Sequence, residues 1–233
     1  MNRAVLAVSA SVVVILAVLV AVLVFGVIPL PNYPSLADNS DTSIPGAVAF
    51  ITDDNPPCLG VVQASGGPTT ELRCGVVEVG TLGWTSEGLI VTIDFSSAAP
   101  RYLLIDPVSG EVVDTVPTDF EEPKPLAWES QSTRADGAVL ITDNNRGTAT
   151  VKVRVPNQEP TSILSTEGPQ DYSFDVATWS PDGQWVLVVD SEGRILIVGE
   201  SGTPTARLLL EGASRWMNAA WYIPGYPGVD LGG

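Results

Sequence analysis

Histidine is missing from all 233 residues, which removes Ser-His-Asp and Cys-His nucleophilic catalysis, histidine metal ligation and the usual general base. Chemistry is left to carboxylates and sulfur. A pair of carboxylates can hydrolyse a glycosidic bond, and the acidic candidates are Asp53 with Asp54 and Glu121 with Glu122. Neighbours in sequence usually form a solvated loop rather than face one substrate, so no catalytic residue is expected. The oxygen-rich stretches Thr52-Asp53-Asp54-Asn55 and Thr142-Asp143-Asn144-Asn145 offer the ligand type calcium takes. Neither has the EF-hand spacing, and Asx-type turns between strands account for both. No metal and no cofactor is expected.

The two cysteines, Cys58 and Cys74, stand on either side of a hairpin signal, Ser65-Gly66-Gly67-Pro68. A hairpin centred there sets Val62 opposite Thr70 and Cys58 opposite Cys74, a register that permits a cross-strand disulfide. Two free buried thiols are the alternative. Four of the six tryptophans, Trp84, Trp128, Trp179 and Trp221, recur at spacings of 44, 51 and 42. Such regularity reads as core packing between repeated units rather than as a ligand platform. Trp185 and Trp216 fall off that register and are candidates for a contact surface.

The elements that position these residues repeat as well. Gly46, Gly88, Gly137, Gly183 and Gly225 lie 42, 49, 46 and 42 residues apart. An apolar strand follows each of the first four, at 47–52, 89–95, 138–142 and 184–189, and Asp53, Asp94, Asp143 and Asp190 close them. Second strands follow at 59–63, 102–105, 151–155 and 194–198, then a tight turn and a third strand. No stretch after residue 43 sustains a helical apolar period, so the domain is all-β. A unit of about 45 residues with four strands matches a propeller blade. The first unit lacks a tryptophan strand and the chain ends with a spare one at 216–221. Its addition to the first unit predicts a small propeller of four blades closed by the C-terminal strand, the alternatives being an open array or a ring completed by a second copy.

The segment Ala177-Thr178-Trp179-Ser180-Pro181-Asp182-Gly183-Gln184-Trp185-Val186 resembles the repeat of TolB-like and WD-repeat-like propellers, a tryptophan followed by Ser-Pro-Asp-Gly and an apolar strand. Ser180, Pro181, Asp182 and Gly183 form its tight turn, with Pro fixing φ and Gly accepting a positive one. Trp84-Thr85-Ser86-Glu87-Gly88 is close to the pattern, whereas Trp128 reaches Gly137 only across an insertion. The resemblance implies the fold and leaves function open, because propellers host binding modules and enzymes alike.

Ahead of the domain, residues 4–30 carry no charge and as a helix would extend roughly 40 Å, enough to span a bilayer with some tilt. The length, and the lack of an Ala-x-Ala site after it, favour an uncleaved transmembrane anchor over a signal peptide. Arg3 before the run, against Asp38 and Asp41 after it, puts the N-terminus in the cytoplasm and the domain outside at the cell membrane. The expected plan is an anchor (1–30), a Pro, Asn and Asp-rich linker (31–43), the propeller domain (44–228) and a tail (229–233). A formal charge of −16 with only Lys124 and Lys152 as lysines opposes binding to nucleic acid. The functional expectation is a membrane-anchored extracytoplasmic propeller that binds or scaffolds protein partners, as an accessory subunit of a membrane or envelope complex. An extracytoplasmic ligand-binding or sensor domain is the second reading, with the ligand open, and a carboxylate-dependent glycan enzyme the third. Only Met1 to Arg3 precede the apolar run, which speaks against signalling on its own.

Overall fold

The computed structural model describes residues 36–38, 41–75, 82–94, 100–117, 132–145, 147–169, 171–199, 206–214, 219–229 and 231. The apolar run 4–30, the pair Glu121 and Glu122, Trp128 and Trp216 lie outside them. No helix among the described residues is long and apolar enough to cross a membrane.

Sixteen strands follow one another: β1 Leu36–Asp38, β2 Ala47–Ile51, β3 Cys58–Gln63, β4 Thr70–Cys74, β5 Gly83–Trp84, β6 Ile90–Asp94, β7 Arg101–Ile105, β8 Val112–Pro117, β9 Val139–Asn145, β10 Thr148–Arg154, β11 Thr161–Glu167, β12 Phe174–Trp179, β13 Trp185–Asp190, β14 Ile195–Gly199, β15 Ala206–Leu210 and β16 Ala220–Tyr222. They form four sheets, ordered β16-β2-β3-β4, β5-β6-β7-β8, β11-β10-β9 and β1-β15-β14-β13-β12. All pairings but β1 with β15 are antiparallel. The repeat read from the glycines is therefore a meander of three strands plus a tryptophan strand at its edge.

Alternation assigns the two faces of each sheet to different neighbours. In β2, Val48 and Phe50 pack with Leu187, Val189, Ile195 and Ile197 of the fourth sheet. Ala49 and Ile51 point the other way, to Trp84, Ile90, Leu103 and Ile105 of the second sheet. The opposite face of the fourth sheet, Val186, Val188, Leu196 and Val198, packs on Leu140, Val151 and Val153 of the third. The order of packed sheets is third, fourth, first, second. A sheet covered on both faces needs near-continuous apolar strands, and Val186–Val189 and Ile195–Val198 are wholly buried.

The spare strand lands where the count placed it. β16 pairs with β2, with Trp221 opposite Val48 and Ala220 opposite Ala49. Among the described residues three face-to-face interfaces are seen. Where a closed ring would turn the second sheet to the third, the described residues show Val91, Ile93 and Tyr102 under Val229 and Leu231 instead. Val229 and Leu231, assigned to the tail, thus pack on the domain while staying partly exposed. The linker is likewise not all free tether, because Leu36–Asp38 add to the edge of β15 in parallel register and Leu36 packs on the apolar cluster beneath.

In the third sheet the tryptophan register breaks. Thr133 bridges Val139 as Trp84 pairs with Ile90 and Trp179 with Val186. The insertion between Trp128 and Gly137 places Thr133, an exposed residue, at the ladder position the other units give to tryptophan.

Cys58 and Cys74 are opposite each other and joined in a disulfide. The rest of that hairpin differs from simple symmetry, since a bulge between Leu59 and Gly60 sets Thr70 against Val61 rather than Val62. Every outer strand pair has one such shift: at Leu104/Ile105, Val151/Lys152 and Ile195/Leu196 in the other sheets. Bulges increase twist and bend the bulged strand.

A chain ending at Ser214 lacks β16 and the burial of Trp221, worth about 3–5 kcal/mol. We expect it to lose its cooperative thermal transition or aggregate; an unchanged melting temperature in a monomer would show that β16 is not integral. Thiol labelling of denatured, non-reduced protein should find neither cysteine free. Replacing both cysteines by Ala should lower stability by about 3 kcal/mol, as expected for a loop of this size.

Candidate functional site between the first and fourth sheets

Chain segments from both sheets meet at one end of their interface. Past the end of β2, Asp53 N–H donates to Gly212 O at 2.9 Å, while Ser214 N–H donates to Ile51 O at 2.7 Å. The turn between β13 and β14 docks on the same strip, with Ala213 N–H donating to Gly193 O at 2.9 Å. Gly193 is required there, because its φ is +72° and a Cβ would sit 2.4 Å from Ala213 O. Within the loop, Thr52 N–H donates to Cys58 O and Thr52 Oγ1 accepts from Cys58 N–H at 3.0 Å. The loop that the sequence marked as oxygen-rich is thus tied to its own hairpin and to the fourth sheet.

Beside this junction opens a groove of about 350 Å³ lined by Phe50, Thr52, Asp54, Gly60, Thr69, Glu71, Leu210, Glu211 and Gly212. Its floor depends on a size match, since a Cβ on Gly60 would lie 2.6 Å from the Phe50 ring. Asp54, Glu71 and Glu211 are exposed on its walls. No basic side chain is among the lining residues. The chemistry this offers is acceptance: carboxylates and hydroxyls over one aromatic floor suit a cationic or hydrogen-bond-donating group.

The remaining candidates are placed elsewhere. Asp53 is exposed beside the groove, and Cys58, Glu71 and Cys74 come within 4.8 Å of one another. With both sulfurs bonded to each other, that trio has no thiolate to offer a metal. In the second oxygen-rich stretch Asp143 pairs with Lys152 at 2.7 Å, and the Asn144 side chain bonds the backbone of Phe174 in both directions. Asp143 is thus occupied within the third sheet, and Asn144 in tying the third sheet to the fourth. Trp185 is half-buried against the cluster between the first and fourth sheets, so it is a packing residue at least in part.

Trp84, Trp179 and Trp221 are buried. Trp84 stacks on Tyr222 with ring centres 5.1 Å apart, and its Nε1–H donates to Ala220 O at 2.9 Å. The Ser180-Pro181-Asp182-Gly183 turn closes through Gly183 N–H to Ser180 O and through Trp185 N–H to Ser180 Oγ. Arg134 of the third sheet clamps it: the guanidinium lies 4.6 Å from the Trp179 ring centre, bonds Gly183 O at 3.1 Å and grips Asp136 with two hydrogen bonds.

A feature the sequence shows only as a list of acids acquires partners in the structure. In three units an aspartate in the first strand of a hairpin pairs with a base in or next to the second: Asp94 with Arg101, Asp143 with Lys152 and Asp190 with Arg194. Asp190 is fully buried and also accepts from the Tyr172 hydroxyl at 3.0 Å. Burial, and then the Asp190 charge, push the Tyr172 hydroxyl far above the ordinary tyrosine range. The signal that could have found them is a basic residue soon after three of the four aspartates, Arg101, Lys152 and Arg194, with none soon after Asp53.

The Arg134 hydrogen bonds, then the Ala138 N–H, lower the Asp136 carboxyl from 3.8 to about 2. A depressed folded value means that the pair's contribution is complete above the unfolded range and is lost as pH falls from 3.8 through about 2. NMR titration of Asp136 should show a midpoint near 2 that moves toward 3.8 in Arg134→Met; an unmoved midpoint would remove Arg134 as the cause.

No family model matches the chain, and no curated protein matches it. Among solved structures it is similar to TolB from Acinetobacter baumannii at 19% identity and TM-score 0.27, covering 72% of this chain and 43% of that one. It is also similar to a functionally unknown protein from Desulfotomaculum acetoxidans DSM 771 at 16% identity and TM-score 0.24, covering 80% and 57%. The chain spans about half the length of these structures. At such scores the fold assignment rests on the strand register and sheet packing of the chain itself.

Proposed function

We propose that the chain is a membrane-tethered extracytoplasmic binding module, whose four-sheet domain holds a basic segment of a protein partner. The observation that carries the reading is the groove between the first and fourth sheets, with Asp54, Glu71 and Glu211 around the Phe50 floor. Its site is built from backbone hydrogen bonds between two sheets, which gives the preorganisation that binding favours. The overall charge of −16 supports the same partner chemistry, since a negative field speeds encounter with a basic surface. The uncharged run 4–30 supplies the tether in this reading. Catalysis has no part in it.

Protease added to intact cells should digest the domain; protection until lysis would reverse the orientation. Crosslinking in mild detergent should then capture a protein partner. Asp54→Lys, Glu71→Lys and Glu211→Lys together should reduce that capture at least tenfold with the melting temperature little changed. Equal capture by the charge-reversed protein would move the binding site away from the groove.

A further inference from the structure

On β6 the side chains divide between two faces, Ile90 toward the first sheet and Val91 and Ile93 away from it. Tyr102 of β7, opposite Ile93, extends the second face, and Val116 of β8, opposite Tyr102, borders it. None of the apolar clusters among the described residues joins this face to another sheet. What covers it is a strap. After β16 the chain turns at Gly225, whose φ is +86°, and runs back so that Val229 N–H donates to Trp84 O at 2.8 Å. Val229 and Leu231 then lie on Val91, Ile93 and Tyr102.

Two glycines set the approach. A Cβ on Gly228 would sit 2.3 Å from Thr85 C and Ser86 N, and a Cβ on Gly83 would sit 2.7 Å from Val229 Cγ1. Backbone meets backbone at the first, and a branched side chain fills the missing Cβ at the second. The strap is no strand of any sheet. Its seat is defined by a main-chain hydrogen bond, a glycine contact and two apolar side chains, which is how an extended peptide is recognised rather than how a strand is integrated.

We propose that this face of the second sheet is a peptide-binding groove, selective for a Gly-Val-x-Leu segment and filled in cis by Gly228, Val229 and Leu231. It is separate from the carboxylate-rimmed groove and stands whether or not that groove binds protein. Segments held by few apolar contacts open at low free-energy cost compared with core strands. Opening vacates the groove for the same segment of a second copy of this chain, whose seat is the one the cis segment defines.

The test uses the full chain in detergent and a labelled synthetic peptide of residues 226–233. Wild-type protein should bind it at least tenfold more weakly than Val229→Asp, whose own segment is released. A peptide carrying Gly228→Ala should bind that variant at least tenfold more weakly than the native peptide, since its Cβ meets the backbone of Thr85 and Ser86. If Val229→Asp does not fold, Val229→Ala combined with Leu231→Ala releases the segment without adding charge. Failure of a folded variant to bind the peptide overturns the proposal, as does equal binding of the Gly228→Ala peptide. Loss of fold in both variants overturns it too, because the strap would then be core.

Discussion

The pairing of β16 with β2 is the interaction on which the other sheet contacts depend. It joins residues about 170 positions apart, with Trp221 opposite Val48. Its two inward residues serve different interfaces: Trp221 enters the cluster shared by the first and fourth sheets, Ala220 the cluster shared by the first and second. The indole hydrogen bonds reinforce both, with Trp221 Nε1–H donating to Pro45 O and Trp84 Nε1–H to Ala220 O, each at 2.9 Å. Remove that strand and β2 becomes a bare edge with both neighbours loosened. The segment feeding β16 also frames the groove, through Gly212, Ala213 and Ser214.

The hairpin ends follow a common design with one substitution. In three units an acid-base pair crosses from the first strand to the second, and its value depends on burial. Asp143 and Lys152 are half exposed, where such pairs contribute little. Asp190 is fully buried and has hydrogen bonds from Arg194, Tyr172 and two turn N–H groups; removing one partner there leaves a buried charge exposed to the full desolvation cost. The first unit has no base at this place. Thr52 bonds the Cys58 backbone instead, and the disulfide to Cys74 secures the hairpin's outer strand. A covalent link replaces the ion pair in the unit that also carries the groove.

What was legible in the sequence follows from which signals are local. The cysteine register followed from a turn and a count, and the four-strand unit from glycines and tryptophans at fixed spacing. The bulges were not legible, because an extra residue such as Leu72 or Ile163 has the same composition as its paired neighbours. In the third unit Thr133 bridges Val139, a pairing the tryptophan spacing did not announce, while Trp128 lies outside the described residues. Leu36–Asp38 and the 228–231 strap are short and lie in polar or glycine-rich surroundings. Their order comes from long-range contact with β15 and β6, which no local pattern announces. The groove was half legible: the Thr52 to Asn55 loop stood out by oxygen content, but Glu71 and Glu211 reach it only through folding.

Three of the sheet edges carry features that oppose strand addition. β15 has its edge filled by β1. β4 places Glu71 and Arg73 along its length and ends in a disulfide. On β8, Pro117 removes one donor, while the bulge leaves Val113 exposed beside Asp114. Charge, proline and bulges are the devices that discourage edge-to-edge pairing. What distinguishes the remaining surfaces is their local chemistry. At the groove that chemistry is negative charge over an aromatic floor; on the second sheet it is a glycine-sized gap followed by an apolar seat. The two surfaces thus differ in composition while one stack of sheets presents both.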